Sequence, residues 1–223
     1  MTTLVIAAHP DDEVLGCGGT IAKLAQEEEV AIAILGEGIT SRPGQTDAVS
    51  GVRQLEDCGR EVAGLLGAGA ITFHGLPDNR FDSLPLLDIV HIIEGLVREC
   101  KPRVIYTHHG GDLNVDHQLT SRAVLTATRP MAGSVVEELY AFEVPSSTEW
   151  AFHHLGPGFR PNTFVDIAAT LETKVLAMEM YTSEVRPFPH PRSSEALRAY
   201  ARRWGSAVGW EAAEAFTLIR AIR

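Results

Sequence analysis

The chain has 223 residues, 19 Lys+Arg against 29 Asp+Glu, and a formal net charge of −10. With 45% hydrophobic and 22% charged residues it reads as a globular chain long enough to bury a sizeable core. The acidic balance excludes a nucleic-acid binder, which needs clustered positive charge, and no apolar run approaches the roughly 20 residues that cross a bilayer. The three cysteines, Cys17, Cys58 and Cys100, lie far apart and form no C-x-x-C pair. With no basic leader at the N-terminus, a reducing cytoplasm is the expected setting.

Residues 4–8 form a short continuous apolar run, the pattern of a strand buried on both faces. Gly16, Gly18 and Gly19 then read as a turn, leading into a helix over 20–28 in which Ile21, Leu24 and Ala25 share a face. Residues 30–35 predict a second strand and 36–46 a polar loop. A helix over 52–66, closed by Gly67, precedes a third strand at 70–73. A helix over 84–99 and a fourth strand at 104–107 follow. This alternation predicts right-handed βαβ units and a mostly parallel sheet.

Beyond Leu125 the rhythm loosens. Glu138–Phe142 predicts a further strand, 145–161 is turn-rich and aromatic, and 171–181 and 194–204 predict helices. The loop 186–192 carries three prolines, which fix φ. No repeat or linker is visible, so one domain over 1–223 is expected.

In an open parallel sheet, sites form beyond the carboxyl ends of the strands. That rule singles out 9–12, 37–47, 75–82 and 108–117. His9-Pro10-Asp11-Asp12-Glu13 follows the first strand directly. Helix capping would account for the acids but not for the His-Pro ahead of them. Pro10 holds His9 extended, aiming its imidazole out of the strand end, and a three-residue offset lets His9 and Asp12 converge. Asp11 faces the same cavity without ligating. Imidazole plus carboxylate suits zinc, and a catalytic zinc takes three protein ligands plus water. His117, at a helix start after the fourth strand, supplies the third, with Asp116 behind it to orient a histidine.

The stretches Ala8-His9-Pro10-Asp11-Asp12-Glu13 and Asn114-Val115-Asp116-His117 resemble the LmbE/PIG-L superfamily of zinc-dependent N-deacetylases. Further stretches agree: Leu76 to Asp82, Phe142 to Ser146 and Phe188 to Ser193. The resemblance implies a Rossmann-like three-layer α/β/α sandwich, Zn2+ held by His9, Asp12 and His117, and Asp11 as general base. It implies an N-acetylated amino sugar as substrate, acetate and the free amine as products, and a homo-oligomer. Asn114 stands where some members carry a histidine that stabilises the oxyanion, so a neighbouring hydrogen-bond donor, Asn114 or His109, is expected instead. Any histidine acid would have to be His108, His109 or His190.

Arg53 and Asp78 match family positions that reach sugar hydroxyls, with Asn79 beside them. Arg80 and Asp82 read either as further contacts or as a mutual clamp. Arg186, His190 and Arg192 either reach the distal part of a substrate, project to a neighbouring subunit, or belong to a surface loop packed by Phe188. His91 is expected to be partly buried, and the aromatics at 142, 150, 152 and 204 to be core or oligomer contacts rather than a sugar platform. Two rival readings stand beside the deacetylase: a hydrolase of another acyl group, and a metal-stabilised binding module, which the unligated Asp11 disfavours.

Overall fold

The computed structural model describes residues 2–41 and 48–222, so the part of the expected loop at 42–46 lies outside the described residues. Seven strands form one sheet in the order β3-β2-β1-β4-β5-β7-β6. They are β1 (Thr2–Ala7), β2 (Glu29–Gly36), β3 (Ala70–Leu76), β4 (Val104–His108), β5 (Glu138–Phe142), β6 (Thr163–Asp166) and β7 (Ala213–Ala221). The first five are mutually parallel, whereas β7 runs antiparallel to both β5 and β6. Six helices cover the sheet: α1 (Asp12–Leu24), α2 (Ala48–Leu66), α3 (Leu86–Cys100), α4 (Val115–Ala127), α5 (Leu171–Met180) and α6 (Ser194–Val208).

The period of two along the central strands divides the core. Val5 and Ala7 of β1, with Val30, Ile32 and Ile34 of β2, pack beneath α1, α2, α5 and α6. Leu4, Ile6 and Ala8, with Ala31, Ala33 and Leu35, pack beneath α3 and α4. A strand covered on both faces must be apolar at every position, which is why the runs at 4–8 and 30–35 are continuous. The result is the α/β/α sandwich that the alternation and the resemblance led us to expect.

Two local expectations are corrected. The first helix begins at Asp12, eight residues before the expected start. Its glycines are not a turn but sites of close approach: a Cβ at Gly16 would sit 2.3 Å from the Phe142 ring, and one at Gly19 would sit 2.8 Å from Ile167. Cys17, at φ −149°, kinks the helix between them. The C-terminal region adds two strands, β6 and β7, that the loosening pattern did not predict. β7 enters the core through Ala213, Ala215 and Phe216, while Glu214 between them is buried against Lys174 Nζ at 2.5 Å. That charge interrupts the apolar signature of the strand. His91, expected to be partly buried, is exposed on α3 because its side of the helix faces solvent.

β1 has β2 on one side and β4 on the other, so chain direction around the sheet reverses there. This is the topological switch point at which open α/β sheets form their sites.

Candidate active site

His9 to Asp12 leave β1 at this point, and His117 enters from the first turn of α4. His9 Nδ1 lies 3.4 Å from Asp12 Oδ2, and His117 Nε2 lies 3.2 Å from the same oxygen. All three side chains are buried, with ligand atoms mutually within 4.8 Å. The far nitrogen of each imidazole meets a different buried carboxylate. His9 Nε2 is 2.9 Å from Asp116 Oδ2, and His117 Nδ1 is 3.1 Å from Asp112 Oδ1.

Those carboxylates are themselves held. Asp116 accepts the backbone N–H groups of Asn79, at 2.7 Å, and Phe81, at 2.9 Å. Asp112 accepts the Asn114 N–H at 2.8 Å and the Thr148 hydroxyl at 2.5 Å, and the Ser147 hydroxyl also donates to it. Carboxylates that fix ring orientation from behind are what metal-binding histidines require. The donor set therefore fits a divalent metal held by His9, Asp12 and His117.

Electrostatics point the same way. Burial opposes charge on His9, but Asp116 and Asp12 outweigh it and push the ring up to about 10. Burial likewise opposes charge on His117, yet Asp12 and Asp112 push it up to about 9. Although burial raises Asp12, His117 and His9 hold its carboxyl well below the usual range. Asp112 is held down to about 2, against burial, chiefly by His117. The cluster stabilises cationic charge where the three ligand atoms meet.

Asp11 is built differently. It is the residue before α1 and has φ 101°, a left-handed conformation that costs a non-glycine residue of order 1–3 kcal/mol. Its carboxylate makes no capping bond, so helix capping is not its use. Four hydrogen bonds hold it. Its N–H donates to Glu13 Oε2 at 3.0 Å, its carbonyl accepts from Val14 and Leu15, and its Oδ2 takes Arg192 Nη1 at 2.7 Å. Glu13, pushed up to about 7 by burial, accepts the Tyr181 hydroxyl at 2.7 Å. Arg192 also reaches Glu184 at 3.2 Å and Ser146 Oγ at 2.8 Å. Burial pushes the Asp11 carboxyl up, against the pull of Arg192.

A cavity of about 600 Å3 opens over this centre. Asp78, Asn79 and Asn114 line it together with His9, Asp11, Asp12 and His117. Asp78 accepts the Ser41 N–H and hydroxyl, and Asn79 donates to Asp78 and Ser41. Asn114 caps α4 through its side-chain oxygen and gives one amide N–H to Asn79 Oδ1 at 2.9 Å. Asp116 lies beneath the cavity rather than on its wall.

Six other residues singled out in the sequence lie elsewhere. Arg53 is exposed on α2 and is not among the described lining residues. His109 Nε2 sits 2.9 Å from the Pro157 carbonyl and packs against Phe159. His190 is half-buried, accepts the Arg192 N–H at Nδ1, and meets the Trp150 ring edge-on. His108 is fully buried, stacked on His117 at 4.1 Å, and pushed down to about 3 by burial and by His117, so it stays neutral. Arg80 and Asp82 are both exposed.

Sequence reasoning did not single out Asp112, Ser146, Ser147 or Glu184. Asp112 carried a signal, an acid five residues before His117 in the same loop. The others arrive from distant segments. Trp150, expected in the core or an oligomer contact, is not in the core: it lines the cavity and is 41% exposed. Phe152 is 71% exposed, while Phe142 is in the core as expected.

Fold and cavity define the class: an α/β protein with a carboxylate–imidazole cluster at the sheet's switch point. Residues 4–128 match the family described as PIG-L, GlcNAc-PI de-N-acetylase, and the chain belongs to that family. It is 27% identical over 179 residues to an uncharacterized deacetylase of Escherichia coli (strain K12), YaiS, covering 78% of this chain and 86% of that one. N,N'-diacetylchitobiose deacetylase from Pyrococcus horikoshii superposes with a TM-score of 0.79 at 20% identity, over 98% of this chain and 84% of that one. The 4-carboxy-2-hydroxymuconate hydratase GalB from Pseudomonas putida KT2440 superposes equally well, with a TM-score of 0.79 at 21% identity, over 100% and 97%. Likeness at that identity establishes the fold alone, and a hydratase on the same fold makes the site decisive. Among the described residues, no helix is long and apolar enough to cross a membrane.

Proposed function

We propose that the protein is a zinc-dependent hydrolase that removes the N-acetyl group from an N-acetylated amino sugar, releasing acetate and the free amine. The observation that carries this reading is the convergence of His9 Nδ1 and His117 Nε2 on Asp12 Oδ2, with Asp11 beside them in the same cavity. Family membership supports the acyl chemistry. When bound there, zinc supplies Lewis acidity and lowers the pKa of a water molecule toward about 7.

The chain's own residues do the rest. Asp11 takes the proton of the attacking water and returns it to the departing amine. A carboxyl whose pKa burial has raised suits both halves of that transfer. Arg192 keeps the carboxylate facing the cavity against a strained backbone. Asn114 offers the developing oxyanion its second amide N–H, the first being committed to Asn79. Among the described residues, the only histidines lining the cavity are His9 and His117, so Asp11 serves as acid as well as base. Ser41, Asp78 and Asn79 supply donors and acceptors for sugar hydroxyls.

The test is a panel of N-acetyl, N-formyl and longer N-acyl amino sugars, free and nucleotide-linked, assayed for released acid. Acetate from the N-acetyl compounds is expected. Cleavage of formyl or longer acyl groups alone would assign the same machinery to another acyl group, and a panel in which no amide is cleaved would overturn the reading.

A further inference from the structure

Among the described residues lining the cavity, Trp150 is the one Phe, Tyr or Trp, and 41% of it is open to solvent. It stands on a short turn, Glu149–Ala151, that is fixed at its start. Glu149 accepts the Ser146 N–H at 2.7 Å and the Tyr200 hydroxyl at 3.3 Å, and the Thr148 hydroxyl is committed to Asp112. His190 meets the indole at a T-shaped angle, with centroids 5.7 Å apart and planes at 82°. His190 is in turn anchored by the Arg192 N–H. The ring is thus held before any ligand arrives, which removes the ordering cost of binding.

By the strand order, the Trp150 turn follows β5, and Ser41 and Asp78 follow β2 and β3, on opposite sides of β1. One flank of the cavity offers hydrogen bonds, and the other includes an exposed indole among its polar groups. A pyranose matches that pair, having hydroxyls at its edge and a hydrocarbon face.

We infer that Trp150 is the platform on which the sugar ring of the substrate stacks, which makes it the residue that selects ring-bearing amides over open-chain ones. The inference rests on the deacetylase reading for the identity of the ligand but not for the existence of the platform. A tryptophan presents up to about 250 Å2, so 41% exposure leaves about 100 Å2 uncovered. Covering half of that area is worth about tenfold in affinity at the usual value per unit of apolar surface.

The experiment compares zinc-loaded wild type, Trp150→Ala and Trp150→Phe. Binding of N-acetylglucosamine and of open-chain N-acetylethanolamine is measured by saturation-transfer NMR and calorimetry, together with zinc content and steady-state kinetics. Trp150→Ala is expected to weaken sugar binding and raise KM about tenfold while kcat stays within about twofold. Trp150→Phe should recover most of the loss, and the open-chain amide should bind all three proteins alike. Unchanged sugar affinity, equal losses for both ligands, or loss of zinc from Trp150→Ala would overturn the platform. The last result would place Trp150's role in holding its turn against Asp112. If wild type cleaves no N-acetyl sugar yet Trp150→Ala still loses sugar affinity, the deacetylase reading fails and the platform stands. Cleavage with unaltered affinity gives the reverse.

Discussion

Asp112 ties the candidate metal centre to the segment that follows β5, and replacing it with asparagine tests that tie. It is fully buried, 3.1 Å from His117 Nδ1, and accepts the Asn114 N–H and the Ser147 and Thr148 hydroxyls. Asp112→Asn keeps the shape and removes the charge. With metal bound, His117 loses the carboxylate that orients it, and zinc affinity should fall about 10–100-fold. Without metal, the effect depends on pH. The Asp112 carboxyl is held down from 3.8 to about 2, so its stabilising contribution is present above about pH 4 and lost as pH falls through 2. His117 is raised from 6.5 to about 9, so its contribution is present below about pH 6.5 and lost as pH rises through 9.

Both charges coexist in the folded metal-free protein between those limits. A depression of this size in a fully buried group corresponds to about 2–3 kcal/mol. Urea unfolding of metal-free wild type and Asp112→Asn should therefore differ by that order at pH 5–6 and by less above pH 9. Zinc affinity is read by competition with a chelator. A pH-independent loss of stability, or zinc affinity equal to wild type, would refute the reasoning.

The remaining predictions concern protons, packing and the base. Zinc uptake at pH 7 should release about two protons, because His9 and His117 titrate near 10 and 9 in the metal-free protein, and affinity should weaken as pH falls. Calorimetry in buffers of different ionisation enthalpy counts those protons. Tyr181→Phe leaves buried Glu13 with one fewer donor and should cost about 1–3 kcal/mol. Because Glu13 titrates near 7 when folded, stability in both proteins should decline as pH rises from about 4.5 to 7, more steeply in the variant. Gly16→Ala drives a Cβ to 2.3 Å from Phe142 and should cost about 1–3 kcal/mol in urea unfolding, whereas Gly64→Ala, in open space on α2, should gain about 0.5–1. Asp11→Asn should retain zinc by elemental analysis and lose most turnover on any substrate the wild type accepts.

What the chain discloses by itself follows from range. The central strands are legible because burial on both faces writes an apolar run into consecutive residues. The candidate ligand set is legible because His9 and Asp12 are three residues apart and His117 opens a helix after the adjoining strand. Arg192 was not singled out as Asp11's partner because 181 residues separate them and only the fold brings them to 2.7 Å. Trp150's place at the cavity is not legible for a related reason: aromatic content in a turn-rich segment says nothing of which way the ring faces. The glycines at 16, 18 and 19 carried a turn signal that the helix overrides, since their use is to admit Phe142 and Ile167. In β7, a single buried Glu214 was enough to hide a strand.

The central claim is that one metal sits between His9, Asp12 and His117. A neighbouring group of His9, Asp78 and Asp116 also has ligand atoms within 4.8 Å of one another, on the other side of the same imidazole. Anomalous diffraction at the zinc edge from zinc-loaded crystals separates the two. One peak is expected, bonded to His9 Nδ1, an Asp12 oxygen and His117 Nε2, with Asp11 unligated. A peak on His9 Nε2, Asp78 and Asp116, or none at either place, would contradict it.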